Sequence, residues 1–151
     1  MKRLLVAAIA FAGLAGPAFA QVDRQAADTE IRGFVSRYVA AFNRADIPGL
    51  ARDFYAIPGK SAEETSAVLA EGYAALRAEE WGKMNFFAAS TCVQDATHAQ
   101  VQVDYEYQFT YGGAMPPGDR RTVFTLAKSD AGWRITAWND MPGGQAMACA
   151  L

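Results

Sequence analysis

The chain has 151 residues, with 14 Lys and Arg against 16 Asp and Glu, for a net charge of −2. No basic stripe or run appears along it, which argues against nucleic acid as a partner. One histidine, His98, and two cysteines without CxxC or HxxxH spacing argue against a structural zinc site, and no metal or other cofactor is implied.

Lys2 and Arg3, the apolar run Leu4 to Leu14 and the small-x-small site Ala18-Phe19-Ala20 read as an export signal cut before Gln21. The run is short of the roughly 20 apolar residues of a membrane span, and Gly13, Gly16 and Pro17 interrupt it. Losing residues 1–20 leaves the 131 residues 21–151 and takes the charge to −4, because Lys2 and Arg3 go with the signal. The expectation is a periplasmic or secreted protein with no membrane association after cleavage. Residues 21–141 form one domain of adequate core volume, and the Gly- and Ala-rich residues 142–151 form a loosely held tail.

Asp28 to Asn43 carries Ile31, Phe34, Val35, Tyr38, Val39 and Phe42 on one helical stripe, and Asp28 or Thr29 is placed to cap it. Asn43-Arg44-Ala45-Asp46 makes a turn. Asp46 is an N-cap for a second helix, with Pro48 in its first turn and Leu50 and Phe54 on its inner side. Tyr55 to Ala70 admits two readings. Pro58-Gly59 breaks any helix, and Ser61-Ala62-Glu63-Glu64 has the pattern of a capping box that opens a new one. Glu71 to Trp81 reads as a helix ending at Gly82.

Four strands follow. Met84 to Val93 is the first and His98 to Tyr111 the second, where Val101, Val103, Tyr105 and Tyr107 alternate with Gln100, Gln102, Asp104 and Glu106. Gly112 to Gly118 turns the chain into Arg120 to Lys128, and Ser129 to Gly132 makes a tight hairpin into Trp133 to Asp140. Helices followed by an antiparallel meander give an α+β class. Cys92 and Cys149 can pair in an oxidising compartment, or remain one buried and one tail thiol; spacing alone does not decide.

Ile31 to Phe54 followed by Gly132-Trp133-Arg134-Ile135-Thr136-Ala137-Trp138 resembles the nuclear-transport-factor-2-like (NTF2-like, SnoaL-like) superfamily. Its sharpest part, Arg37-Tyr38-Val39-Ala40-Ala41-Phe42-Asn43-Arg44-Ala45-Asp46, is similar to the first helix and turn of the ketosteroid isomerases. The resemblance spans Ala26 to Asp140 and implies a cone in which a curved antiparallel sheet wraps around the N-terminal helices. It also implies a hairpin of Tyr55 to Ile57 against Ser66 to Leu69, the reading taken here, and a homodimer through the polar outer face bearing Asp104 and Glu106. Tyr38 falls where those isomerases carry an oxyanion-hole tyrosine, and a phenol in a water-poor pocket can donate to a developing oxyanion. Periodicity alone reads Tyr38 as a core residue with its hydroxyl satisfied by backbone. The isomerase carboxylates are missing: Ile57 to Ala62 holds none, and Val123, Phe124 and Thr125 stand where the second would be.

Tyr105, Tyr107, Phe86 and Trp138 supply an aromatic lining for a small apolar or aromatic molecule, with Asn139 and Asp140 as orienting groups near the pocket mouth. The same aromatics can simply fill the core. His98, Asp53, Glu63 and Glu64 read as surface residues. Three functions follow: small-molecule binding, cofactor-independent lyase, isomerase or cyclase chemistry with Tyr38 as hydrogen-bond donor, or a dimeric interaction module. Binding is the leading expectation.

Overall fold

A computed structural model describes residues 16–78, 81–109, 120–141 and 145–149. The apolar run Leu4 to Leu14 and the turn Gly112 to Gly118 lie outside the described residues. Three helices, α1 (Gly16–Asn43), α2 (Ile47–Phe54) and α3 (Ala62–Ala78), precede four strands, β1 (Trp81–Val93), β2 (His98–Phe109), β3 (Arg120–Ser129) and β4 (Gly132–Met141). The strands form one antiparallel sheet in the order β1-β2-β3-β4. The class is α+β, and the helices occupy the concave side of the sheet.

On α1, Ala27, Ile31, Phe34, Val35, Tyr38, Ala41 and Phe42 are all buried, the three-and-four spacing of one inward stripe. The helix does not begin at Asp28 or Thr29. Residues 18–27 contain no Gly or Pro, so nothing local stops the helix from extending back to Gly16. Within it, the Thr29 hydroxyl donates to the Gln25 carbonyl (3.0 Å), and the Asp28 carboxylate accepts from Arg32 (2.9 Å) and from Thr91 of β1. Asp28 thus ties helix to sheet instead of capping.

Asp46 caps α2 by accepting from the Gly49 amide at 3.1 Å, and Pro48 lies in the first turn. A Cβ at Gly49 would stand 2.1 Å from the Asp46 carboxylate, so the cap needs glycine there. Leu50 and Phe54 are buried as their spacing requires.

The hairpin expected at 55–69 is not formed. Tyr55 bridges to Ile135 of β4, and the Ala56 amide donates to the Ile135 carbonyl at 2.9 Å, so this backbone already has a strand partner. Ser61 and Glu64 close a reciprocal capping box (Ser61 amide to Glu64 carboxylate 2.7 Å, Glu64 amide to Ser61 hydroxyl 3.2 Å). Residues 66–69 are therefore the second turn of α3, which is a single helix ending at Ala78 rather than near Gly82.

On β2, Val101, Val103, Tyr105 and Tyr107 face the core. Register shifts at Trp81/Lys83 and Phe86/Ala88 on β1, and at Thr125/Leu126 between β3 and β4, let the sheet curve around the helices. The outer face is not uniformly wet. Residues 145–149 run along it: Cys149 is disulfide-bonded to Cys92 (Cα–Cα 5.5 Å), the Met147 amide donates to Gln102 (2.7 Å), and Arg121 donates to the Gln145 carbonyl. Gln102 is consequently buried, although it lies on the polar side of the alternation. A second copy docking on this face would have to share it with that segment.

Among the described residues, no helix is long and apolar enough to cross a membrane, and no group of three or more His, Cys, Asp or Glu is placed to hold a metal ion.

Candidate functional site

Between α1, α3 and the concave faces of β2, β3 and β4 lies a cavity of about 470 Å³. That size suits a small organic molecule, since ligand pockets run from roughly 300 to 1,000 Å³. Tyr38 and Phe42 reach it from α1, Tyr55 from the end of α2, and Tyr73 from α3. The sheet contributes Tyr105 and Tyr107 of β2, Thr122 and Phe124 of β3, and Trp138 and Asp140 of β4. Two of the ring pairs pack edge-on: Tyr38 against Phe124 with centroids 5.2 Å apart, and Tyr55 against Trp138 at 5.8 Å.

Two polar strings cross this aromatic interior. The Tyr38 and Tyr55 hydroxyls are 3.0 Å apart, both side chains buried. Burial pushes both phenols well above the ordinary tyrosine range, and the neighbouring Tyr55 raises Tyr38 further. Both therefore keep their protons, and a pair of neutral hydroxyls has two protons with only one used between them. The second string runs to the mouth. The Thr122 hydroxyl donates to the Asp140 carboxylate at 2.6 Å; its single proton is spent there, so the Tyr105 hydroxyl, 3.1 Å away, donates to Thr122. The Arg120 guanidinium lies 4.8 Å above the Tyr107 ring beside them.

Of the residues singled out from sequence, Tyr38, Tyr105, Tyr107, Trp138 and Asp140 line the cavity. Phe86 and Asn139 do not. Phe86 sits at the β1 register shift with 38% of its surface exposed, and Asn139 pairs with Val123, on the face opposite to that of its neighbours Trp138 and Asp140. Tyr38 is a core residue, yet its hydroxyl is satisfied by another phenol and not by backbone.

His98 is outside the site, at the β1–β2 turn with Asp95 3.0 Å away. Asp104 pairs with Arg121 on the outer face (2.6 Å), Glu106 accepts from Asn85 (2.9 Å), and Asp53 pairs with Arg52 (2.8 Å). Tyr55, Tyr73, Thr122 and Arg120 were not singled out from the sequence. Thr122 had a readable signal: it precedes Phe124 and Leu126 by even steps, so strand alternation puts it on their buried face. Asp140 of the last strand is the one carboxylate among the described residues that line the cavity.

No protein-family model matches the chain, and no curated protein is similar to it in sequence. Solved structures do match in fold. An NTF2-like protein with a cystatin-like fold from Novosphingobium aromaticivorans superposes with a TM-score of 0.62 at 17% identity, covering 91% of this chain and 96% of that one. A ketosteroid isomerase-like protein from Erwinia carotovora atroseptica gives 0.52 at 23% identity, over 73% and 91% of the two chains. An NTF2-like protein of unknown function from Shewanella oneidensis gives 0.57 at 18% identity, over 75% and 97%. The helices packed inside a curved four-stranded sheet are the NTF2-like cone, and the chain has the NTF2-like fold.

Proposed function

We propose that this domain binds a small, flat, largely apolar molecule carrying one oxygen acceptor. The observation that carries the reading is the phenol pair. Tyr38 and Tyr55 are buried, neutral and joined to each other, which leaves one hydroxyl proton for a ligand oxygen in a cavity whose other walls are largely apolar away from the Thr122–Asp140 mouth. The export-signal pattern read in residues 1–20 supports a setting for this binding in the periplasm or outside the cell.

One observation favours a second reading, an enzyme that moves a proton next to a carbonyl. Asp140 and the phenol pair border the same cavity, a carboxylate to take a proton and a neutral donor for the oxyanion that forms.

One pair of probes separates these readings. 2-Acetonaphthone and 2-ethylnaphthalene have nearly the same shape, and only the ketone has an acceptor. Calorimetric titration is expected to show the ketone binding about tenfold tighter, the worth of one hydrogen bond to a buried donor. Equal affinity, or no binding of either, overturns the binding proposal. Deuterium exchange into the ketone methyl group, catalysed by the protein and lost in Asp140→Asn, establishes the enzyme reading; binding without exchange excludes it for this class of ketone.

A further inference from the structure

We propose a second site, for a multiply charged oxyanion, in the cleft between α1, α2 and the β3–β4 turn. This cleft encloses about 500 Å³ and shares no lining residue with the tyrosine cavity. Arg37 and Arg44 line it from α1, Arg134 from β4 and Asp53 from α2, together with Phe34, Phe54 and Trp133.

The charge balance of the cleft points to an anion. Arg32, Arg52 and Arg121 are each paired with a carboxylate. The guanidiniums of Arg37 and Arg44, by contrast, make no hydrogen bond or ion pair with the described residues. Arg134 donates only to the Trp133 carbonyl, at 2.9 Å. The one carboxylate in the cleft, Asp53, has both oxygens engaged by Arg52 at 2.8 Å, so its charge is already matched. Counting Arg52, four guanidiniums thus bear on one carboxylate, Asp53, which Arg134 also influences, so positive charge is in excess here in a chain whose net charge is −2. Like charges brought together repel, and an anion seated among them removes that cost.

The geometry also sets the ligand class. Arg37 and Arg44 are seven residues apart and share one face of α1, which puts their backbones about 10 Å apart along the axis. Long side chains from those positions, joined by Arg134 across the cleft, suit an anion with charge spread over several oxygens. Planar guanidinium forks match phosphate and carboxylate oxygens in pairs. The ligand is therefore a phosphate ester, a diphosphate or a polycarboxylate. A single halide or a neutral molecule does not fit this arrangement.

Calorimetric titration at low ionic strength with pyrophosphate and with citrate tests the site on the disulfide-bonded protein. At least one probe is expected to bind saturably, and tighter binding of pyrophosphate or of citrate identifies the phosphate or the carboxylate source. Arg37→Gln/Arg44→Gln, and separately Arg134→Gln, are expected to weaken that binding about tenfold or more. Arg120→Gln, at the tyrosine cavity, leaves it unchanged. Circular dichroism confirms that the variants are folded, as the exposure of Arg37 and Arg44 implies. No saturable binding of either probe, or wild-type affinity in the Arg37/Arg44 variant, overturns the site. A loss confined to Arg120→Gln also overturns it, by moving the anion to the other cavity.

Discussion

Tyr38 of α1 and Tyr55 at the end of α2 meet hydroxyl to hydroxyl at 3.0 Å inside the cone. Each is the other's polar partner. Tyr38→Phe is expected to lower stability by about 1–2 kcal/mol, because the Tyr55 hydroxyl loses its partner while buried. Tyr55→Phe is expected to cost a similar amount, and the double variant less than the two single costs together. Urea unfolding of the four proteins measures this coupling, and strictly additive costs contradict a direct bond.

Asp140→Asn keeps an oxygen acceptor for Thr122 and removes the charge. Its side chain is exposed at the cavity mouth, so the melting temperature is expected to stay within a few degrees of wild type. If the domain catalyses proton transfer, turnover falls about 100-fold or more, the usual worth of a general base. If it only binds, affinity for a neutral ligand changes little. Exchange rate and affinity measured on the one variant decide between the two.

Much of this architecture can be read from residue order, and the exceptions have physical causes. The stripe Ile31 to Phe42 gave α1's inward face, and the alternation from Val101 to Tyr107 gave the concave face of β2, because burial on one side imposes a period. The 55–69 segment misled because its partner, Ile135, is some 80 residues away in sequence; local pattern does not report such a bridge. Phe86 and Asn139 misled through register: one sits at a bulge, and the other is a single residue from its inward neighbours. The phenol pair was invisible for a related reason, since Tyr55 meets Tyr38 only once α2 folds back on α1.

Asp46 and Gly49 work as a unit at the start of α2. Asp46→Ala is expected to cost about 0.5–2 kcal/mol through loss of the cap. Gly49→Ala, which raises helix propensity, is nevertheless expected to destabilise, because its Cβ would meet the Asp46 carboxylate at 2.1 Å. In the double variant that clash is gone, so the two costs do not add. Thermal melts of the three variants check the order; a stabilising Gly49→Ala alone refutes the account of the cap.

The Cys92–Cys149 bridge closes a loop with a sequence separation of 57 and fastens residues 145–149 to the outer face of the sheet. Chain-entropy arguments give a loop of that size about 4 kcal/mol of stabilisation. Cys92→Ser/Cys149→Ser is expected to show most of that loss in urea titration, with faster amide exchange at Met147, whose amide is held by Gln102. An unchanged unfolding midpoint refutes the strapped tail.

The most direct test of a ligand-holding cone is native mass spectrometry of the protein from its own source, set beside Val68→Trp. Val68 borders the tyrosine cavity and is 37% exposed, so a larger ring there can fill the mouth without overpacking the core. The wild-type protein is expected to carry an added mass of a few hundred daltons, as roughly 470 Å³ allows, released on denaturation and absent from Val68→Trp. A wild-type protein that flies at its bare mass, or a Val68→Trp variant that retains the same ligand, contradicts the account.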